Sequence, residues 1–269
     1  MAVEQTRLPD SLTTSICRHG PMVYLRNDRY IGRSLHVYGE FSELECGLLT
    51  GLLSPGAVVI EAGANIGAHT LALAAAVGEH GRVLAFEPHP VNHRLLTANV
   101  ALSGRTNVEV WGTALGAEPG TLCVPPVDFD NPGNFGGIAL TASGDGTRVQ
   151  VTHLDELELT RCDLIKADVE GMEQAVVRGA TRTIERRRPL LYLENDRIEH
   201  SPALIALLLE LGYSPFWHLP PLFNPDNFRG RKRNLFPGLV SVNLLCLPDQ
   251  RPVPCAALRP VQSPGDYWR

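Results

Sequence analysis

The stretch AVVIEAGANIGAHTLALAAAV, residues 57–77, decides the fold. Its first part is an apolar run closed by Glu61 and Gly63, which suits a parallel strand buried on both faces. Ile66, Thr70, Leu73, Ala74 and Val77 then recur at helical spacing, and Gly78 ends that helix. Between the two lies a glycine turn. Gly63 permits a tight reversal, Gly67 lets the helix approach the strand closely, and Asn65 tolerates a positive φ. Taken alone the turn fits three things: a dinucleotide fold, a nucleoside-binding methyltransferase or a structural turn.

The same alternation continues outward. RVLAFEP (82–88) is a second strand stopped by proline, Leu95, Leu96, Val100 and Leu102 mark a helix, and NVEVWG (107–112) is a third strand. Residues 116–146 are rich in glycine and proline and read as a long loop with a possible hairpin, a length associated with function or disorder. TRVQVTHL (147–154) resumes as a strand, CDLIKADVEG (162–171) is a buried strand ending in acids, and Met172, Val176, Ala180 and Ile184 step along one helix. PLLYLEN (189–195), a helix from Pro202 to Leu211, YSPFWHL (213–219) and GLVSVNLLCLP (238–248) complete the set. Strands alternating with helices predict a doubly wound, mostly parallel α/β sheet, with a lead segment at 1–50, a core at 51–248 and a Pro-rich extended tail at 249–269.

In such a sheet ligands bind outside the carboxyl ends of the strands. Glu61, Glu87, Asp168 and Glu194 each end a different predicted strand. Helix capping accounts for one or two of them, less well for four. Charge separates the ligand readings. A pyrophosphate needs neutral or cationic surroundings, and Glu61, two residues before Gly63, repels it. S-adenosylmethionine carries no phosphate. Glu61 suits its ammonium, and Glu87, 26 residues on, suits two ribose hydroxyls, though an acid there serves NAD equally.

With these residues in view, the chain resembles the FkbM-type S-adenosylmethionine-dependent methyltransferases. VVIEAGANIGAHTLALA, GRVLAFEP, LIKADVEGMEQAVVRGA and RPLLYLEN carry the likeness, which extends through RNDRYIGRSLHVYGEFSELE, NFGG and VSVNLLCLP, roughly residues 20 to 248. The resemblance implies a class I methyltransferase (Rossmann-like) fold, a seven-stranded sheet whose last strand is antiparallel. It also implies methyl transfer, usually to a hydroxyl of a sugar or natural product. The family's cofactor loop falls on Glu61, Gly63, Asn65 and Gly67, its ribose acid on Glu87, and its Lys-Ile-Asp-Val-Glu-Gly signature on Lys166, Asp168, Glu170 and Gly171. Glu61 stands where Asp is common and Ala167 where Ile is, and neither change removes a charge.

Other candidates follow from residue chemistry. Asp168 and Glu170 are the first catalytic candidates, as base, as anchors for acceptor hydroxyls or as holders of a divalent cation; the alternative for Glu170 is a cap on a helix starting at Gly171. His218 is a second base candidate or a backbone-bonded histidine. Glu40 and Ser42 are expected to contact the cofactor from the lead segment, while Asn134, Phe135, Glu194, Asn195 and Trp217 are expected on the acceptor side, with 131–137 as a lid and 214–234 facing the acceptor. His69 either lines the cofactor pocket or packs, Lys166 pairs with an acid, and Asp128 and Asp130 belong to a solvated loop. Arg182, Arg186, Arg187 and Arg188 favour a helix C-terminus. Arg229, Arg231, Lys232 and Arg233 form a solvated loop or a phosphate site.

Composition closes off other classes. The 269 residues are 44% hydrophobic and 20% charged, with net charge −5, which speaks against nucleic-acid or polybasic membrane binding. No apolar run is long enough to span a bilayer, and MAVEQTRLPD has no basic start followed by an apolar stretch, so no secretory signal is expected. The six cysteines have no Cys-x-x-Cys spacing, so reduced thiols in a cytoplasmic protein are expected, with no metal set. His-Glu-x-x-His, Gly-x-Ser-x-Gly and Walker A patterns are missing. A small-molecule, sugar or natural-product acceptor is the expected partner. The competing functions are a nicotinamide-dependent oxidoreductase and a non-catalytic nucleoside-binding protein on the same fold.

Overall fold

The structure is a computed structural model describing residues 11–248 and 258–268. The chain enters as an antiparallel hairpin of β1 (Leu12–Cys17) and β2 (Gly20–Leu25), followed by α1 (Ile31–Tyr38) and α2 (Glu43–Leu52). Alternation then begins: β3 (Val58–Ala62), α3 (Thr70–Val77), β4 (Arg82–Phe86), α4 (Pro90–Leu102) and β5 (Val108–Trp111). Three short strands, β6 (Ala114–Leu115), β7 (Gly120–Val124) and β8 (Thr147–Thr152), form a separate small sheet. The main sheet resumes with β9 (Leu164–Ala167), α5 (Glu173–Gly179), α6 (Thr181–Arg187), β10 (Leu190–Glu194), α7 (Ser201–Glu210), β11 (Tyr213–His218) and β12 (Asn243–Pro248), and β13 (Arg259–Pro260) is added at its edge.

The main sheet runs β13-β11-β12-β10-β9-β3-β4-β5. The pairs among β3, β4, β5, β9 and β10 are parallel, whereas β12 is antiparallel to both β10 and β11. These are the seven strands of the class I methyltransferase arrangement, and β13 makes an eighth. Successive residues along a strand point to opposite faces, and here both faces are covered. Val59, Val83, Leu164, Tyr192 and Leu245 pack with the lead hairpin, α2, α3 and α4; Ile60, Leu84, Ile165, Leu191 and Leu244 pack with α5, α6 and α7. Double burial explains why these strands read as continuous apolar runs rather than alternating ones.

Four expectations change. The helix stepping from Met172 to Ile184 is two helices broken at Ala180, because Asp155 caps the second one, its carboxylate accepting from the Arg182 and Thr183 N–H groups at 2.8 Å each. The strand at 147–152 joins the small sheet, not the main one. Residues 239–242 are not strand; β12 starts only at Asn243. Part of the tail is not free: Arg259 and Pro260 pair with Trp217 and Phe216. Residues 249–257, Cys255 among them, lie outside the described residues.

One glycine is fixed by the meeting of two strand ends. Gly63 has φ 78°, and a Cβ on it would lie 1.8 Å from the carbonyl oxygen of Asp168, where β3 and β9 end side by side. Gly47, inside α2, has open space around it. Opposite signs are expected in thermal melts. Gly63→Ala loses at least ~2 kcal/mol or does not fold, and Gly47→Ala gains about 0.5–1 kcal/mol from helix propensity.

Candidate functional site

The carboxyl ends of β3, β4, β9 and β10 open into a cavity of about 420 Å³. Glu61, Gly63, Asn65, Glu87, Asn134, Phe135, Asp168, Glu170 and Glu194 all line it, so the structure brings nine of the fifteen candidate residues to one cavity. The lead segment contributes Tyr30, Ile31, Phe41 and Glu45.

The glycine loop and Glu87 are built as one unit. Asn65 has φ 51°, and its N–H donates to Glu87 Oε2 at 2.8 Å, while the N–H of His89 donates to Glu87 Oε1 at 2.8 Å. The carboxylate is thus aimed by backbone on both oxygens, with a further lone pair on each left for a ligand. Burial nevertheless raises its pKa to about 7, the two backbone N–H groups opposing that shift. His89 holds the start of α4, its Nδ1 accepting from the N–H groups of Val91 and Asn92.

Beside this unit is a buried ionic cluster. Lys166, at the end of β9, is almost fully buried, and its Nζ lies 3.3 Å from Asp168 Oδ2. Burial alone would lower the Lys166 pKa, but Asp168, Glu45 and Glu61 outweigh it and raise the value. Glu61 accepts from the Thr70 hydroxyl at 2.6 Å, and burial lifts its pKa to about 7 against the pull of Lys166. Glu45 accepts from the Ser42 hydroxyl at 3.0 Å, and burial raises its pKa too. His69 lies 3.7 Å from Glu45; burial, then Lys166, push its pKa down to about 3, so it is neutral, and its Nε2 has no hydrogen-bond partner.

A second group of acids stands next to this cluster. Asp168, Glu170 and Glu194 each offer an oxygen within 4.8 Å of the others. Glu170 sits in a left-handed turn with φ 56° and accepts from Arg197 Nη2 at 2.6 Å. Burial, followed by the charge of Asp168, raises Glu170 to about 7 and Glu194 well above the carboxylate range. The alternative reading of Glu170, a helix cap, does not hold: α5 starts at Glu173, which accepts from the N–H groups of Val169 and Gly171 in the turn before it.

Residues 134–138 close the opposite wall. Phe135 is buried against Phe129, with ring centroids 4.9 Å apart, and its carbonyl accepts from Asn92 Nδ2 at 3.2 Å. Asn134 folds over its own loop, its Oδ1 accepting from Gly137 N–H at 3.0 Å.

Six candidates are not brought to the cavity. Glu40 is occupied elsewhere, binding Arg18, Asn224 and the N–H of Phe228, which ties the lead segment to the 224–228 loop. Ser42 acts one step back, through Glu45. Asn195 is buried with its amide on Ser201. Trp217 points into the core on the face of α7, beside Trp268, because strand alternation turns it away from the wall. His218, its neighbour on the other face, shares a 2.8 Å hydrogen bond with the Tyr192 hydroxyl, and burial lowers its pKa. Gly67 is not on the wall either; it carries φ 89° and clears Leu96 of α4, a packing role. Asp128 and Asp130 are a loop turn, Asp128 accepting from Asp130 N–H and the Asn131 amide. Arg229 binds the carbonyls of His36 and Ile16 rather than standing free.

Glu45, His89 and Asn92 were not among the site residues predicted from sequence. His89 follows the strand-ending Glu87-Pro88 pair, a helix-cap position that sequence does signal. Glu45 had no signal, because only tertiary packing turns α2 toward β9.

No curated protein matches the chain in sequence. Among solved structures it is similar to the methyltransferase FkbM from Methylobacillus flagellatus KT, at 21% identity over 73% of this chain and 45% of that one, with a TM-score of 0.48; the chain therefore spans less than half of that protein. It is also similar to the O-methyltransferase TomG from Streptomyces achromogenes, solved with S-adenosylmethionine, at 12% identity over 77% and 78% of the two chains and a TM-score of 0.46. A third is fibrillarin from Aeropyrum pernix, at 16% identity over 88% and 93% and a TM-score of 0.44. The family model for the methyltransferase FkbM domain matches residues 61–215, more than half of the sequence, from the acid of the glycine loop to β11. On that match, the chain belongs to the FkbM methyltransferase family.

Proposed function

We propose that this protein transfers the methyl group of S-adenosylmethionine to a hydroxyl oxygen of a sugar, glycan or natural-product acceptor. The observation that carries the reading is the charge of the cavity. Seven carboxyl groups line it (Glu45, Glu61, Glu87, Asp168, Glu170, Glu194 and Asp196), and even with burial raising Glu61, Glu87 and Glu170 to about 7 and Glu194 further, they outweigh the one ammonium, Lys166. The two histidines on the wall, His69 and His89, are both lowered by burial and add no charge at neutral pH. A nicotinamide dinucleotide would place two phosphate charges in this field. S-adenosylmethionine brings a sulfonium and an ammonium against one carboxylate, a net positive ligand for a negative wall.

The residues divide the ligand between them. Glu87, aimed by two N–H groups, accepts from the ribose hydroxyls. Glu61 and the neutral His69 face the ammonium, and Lys166 offers the one positive charge for the α-carboxylate. Asp168 and Glu170 stand where an acceptor hydroxyl approaches. Transfer is an in-line displacement: the acceptor oxygen bonds to the methyl carbon, the carbon–sulfur bond breaks with its electrons going to sulfur, and the hydroxyl proton passes to a carboxylate, Asp168 being the first candidate. Holding oxygen and methyl in line supplies up to about 7–11 kcal/mol. No helix among the described residues is long and apolar enough to cross a membrane. A cytoplasmic setting belongs to this reading, supported by the free thiols at Cys17, Cys46, Cys123, Cys162 and Cys246, which a reducing compartment preserves.

The reading is tested by incubating the protein and S-adenosylmethionine with a panel of sugars and hydroxylated metabolites and measuring S-adenosylhomocysteine. Release above background with a hydroxylated acceptor is expected; none across a broad panel, with the cofactor bound, counts against hydroxyl methylation. Asp168→Asn is expected to keep cofactor affinity within about threefold and to lose turnover about 10²–10⁴-fold. Equal turnover removes Asp168 from proton transfer.

The pH dependence has two opposite slopes. Glu61 and Glu87 sit near 7 in the free protein against an ordinary 4.5, so between those values the folded chain holds protons the unfolded chain has lost. Their contribution therefore makes the free protein more stable as pH falls through 7, levelling off below 4.5. Cofactor binding needs the ionised carboxylates and runs the other way. From about pH 8 to about pH 6, affinity for S-adenosylmethionine is expected to fall about tenfold for each group that must ionise. Calorimetry on the wild type and on Glu87→Gln checks this: the variant binds more weakly at the higher pH and shows a flatter pH profile.

A further inference from the structure

One group of acids on the cavity wall is given no part in holding the cofactor in the reading above. Asp168 and Glu170 follow β9, and Glu194 ends β10, its neighbour in the sheet. The register pairs Ala167 with Leu193, so the next residues, Asp168 and Glu194, stand at the same level at the carboxyl edge of the sheet. The left-handed turn at Glu170, φ 56°, brings a third carboxylate back to them. An oxygen from each lies within 4.8 Å of the other two.

Their counter-charges lie to the sides. Arg197 takes Glu170 Oε2 at 2.6 Å and Lys166 takes Asp168 Oδ2 at 3.3 Å. Glu194 has neither. Its Oε2 is shut off from solvent and has no hydrogen-bond partner. A buried carboxylate oxygen with no donor, on a side chain that groups with two more carboxylates, lacks the partner that such a group ordinarily has. The donor set is all oxygen, which favours Mg²⁺, Mn²⁺ or Ca²⁺ over zinc or copper.

We propose that Asp168, Glu170 and Glu194 hold one hard divalent cation, Mg²⁺ or Mn²⁺, at the cavity wall. Three protein oxygens leave up to about three of an octahedral ion's positions open to the cavity. Its role toward the acceptor rests on the methyl-transfer reading above; the site itself does not. In that role the open positions select acceptors with two oxygens in chelating reach, such as neighbouring hydroxyls of a sugar ring, and turn one of them toward the methyl group.

The test uses Mn²⁺ as probe, on full-length protein stripped with chelator and exchanged into buffer near neutral pH. Paramagnetic resonance reads free Mn²⁺ during titration. One ion per chain is expected, with a Kd of about 100 µM or tighter. Glu194→Gln is expected to raise that Kd at least about tenfold with no loss in melting temperature, and Glu170→Gln to weaken binding also. Glu43→Gln serves as the control. It alters the other cluster of potential ligands, where His19 Nε2 lies 2.8 Å from Glu43 and 3.8 Å from Cys46 Sγ, and it is expected to change nothing. No binding up to about 1 mM overturns the proposal. So does unchanged binding in both Glu194→Gln and Glu170→Gln, or loss of binding in Glu43→Gln alone. Calorimetry with S-adenosylmethionine, run in parallel, separates the two readings. Mn²⁺ bound without cofactor binding leaves the metal site and removes the methyl-transfer role, and cofactor bound without Mn²⁺ does the reverse.

Discussion

Lys166 is an ammonium buried at the end of a central strand, and it stays charged only because Asp168, Glu61 and Glu45 surround it. Burying one charge alone costs several kcal/mol, and removing one partner of such a group leaves the rest uncompensated. The arrangement draws on three separate parts of the chain: β3 supplies Glu61, the end of β9 supplies Lys166 and Asp168, and α2 of the lead segment supplies Glu45. The lead segment is thus tied to the core by charge as well as by apolar packing. The same cluster sets the sign of the field in the cavity.

The second constraint is steric. Gly63 lets the loop after β3 pass against the carbonyl of Asp168, which holds the two strand ends together. Asn65 continues the turn in a left-handed conformation and donates its N–H to Glu87, linking the first strand end to the second. The glycine loop, Glu87 and the Asp168 strand end are therefore one backbone construction, not three independent features.

That construction was largely legible in the sequence, because each part leaves a local trace. Apolar runs ended by acids marked strands buried on both faces, and glycine with asparagine marked the turn. The misreadings share one cause, tertiary pairing that no local pattern records. Trp217 and His218 stand next to each other in an aromatic segment, and strand alternation sends one into the core and the other onto Tyr192. Glu40 and Ser42 were placed near the cofactor by their position before the first core strand; packing gives Glu40 to Arg18, Asn224 and Phe228, and moves the wall contact to Glu45. The break at Ala180 depends on Asp155, 25 residues earlier in the chain, capping a helix that periodicity alone would have continued.

The central claim is that this acidic cavity is a receptor for a positively charged sulfur nucleoside. Titrating the free wild-type protein with S-adenosylmethionine and, separately, with NAD in one calorimetric series addresses it most directly. Saturable one-to-one heat with the first, weakening as salt is raised, and none with the second is the result the charge pattern requires. Saturable heat with NAD, or none with S-adenosylmethionine on protein that melts cooperatively, contradicts it.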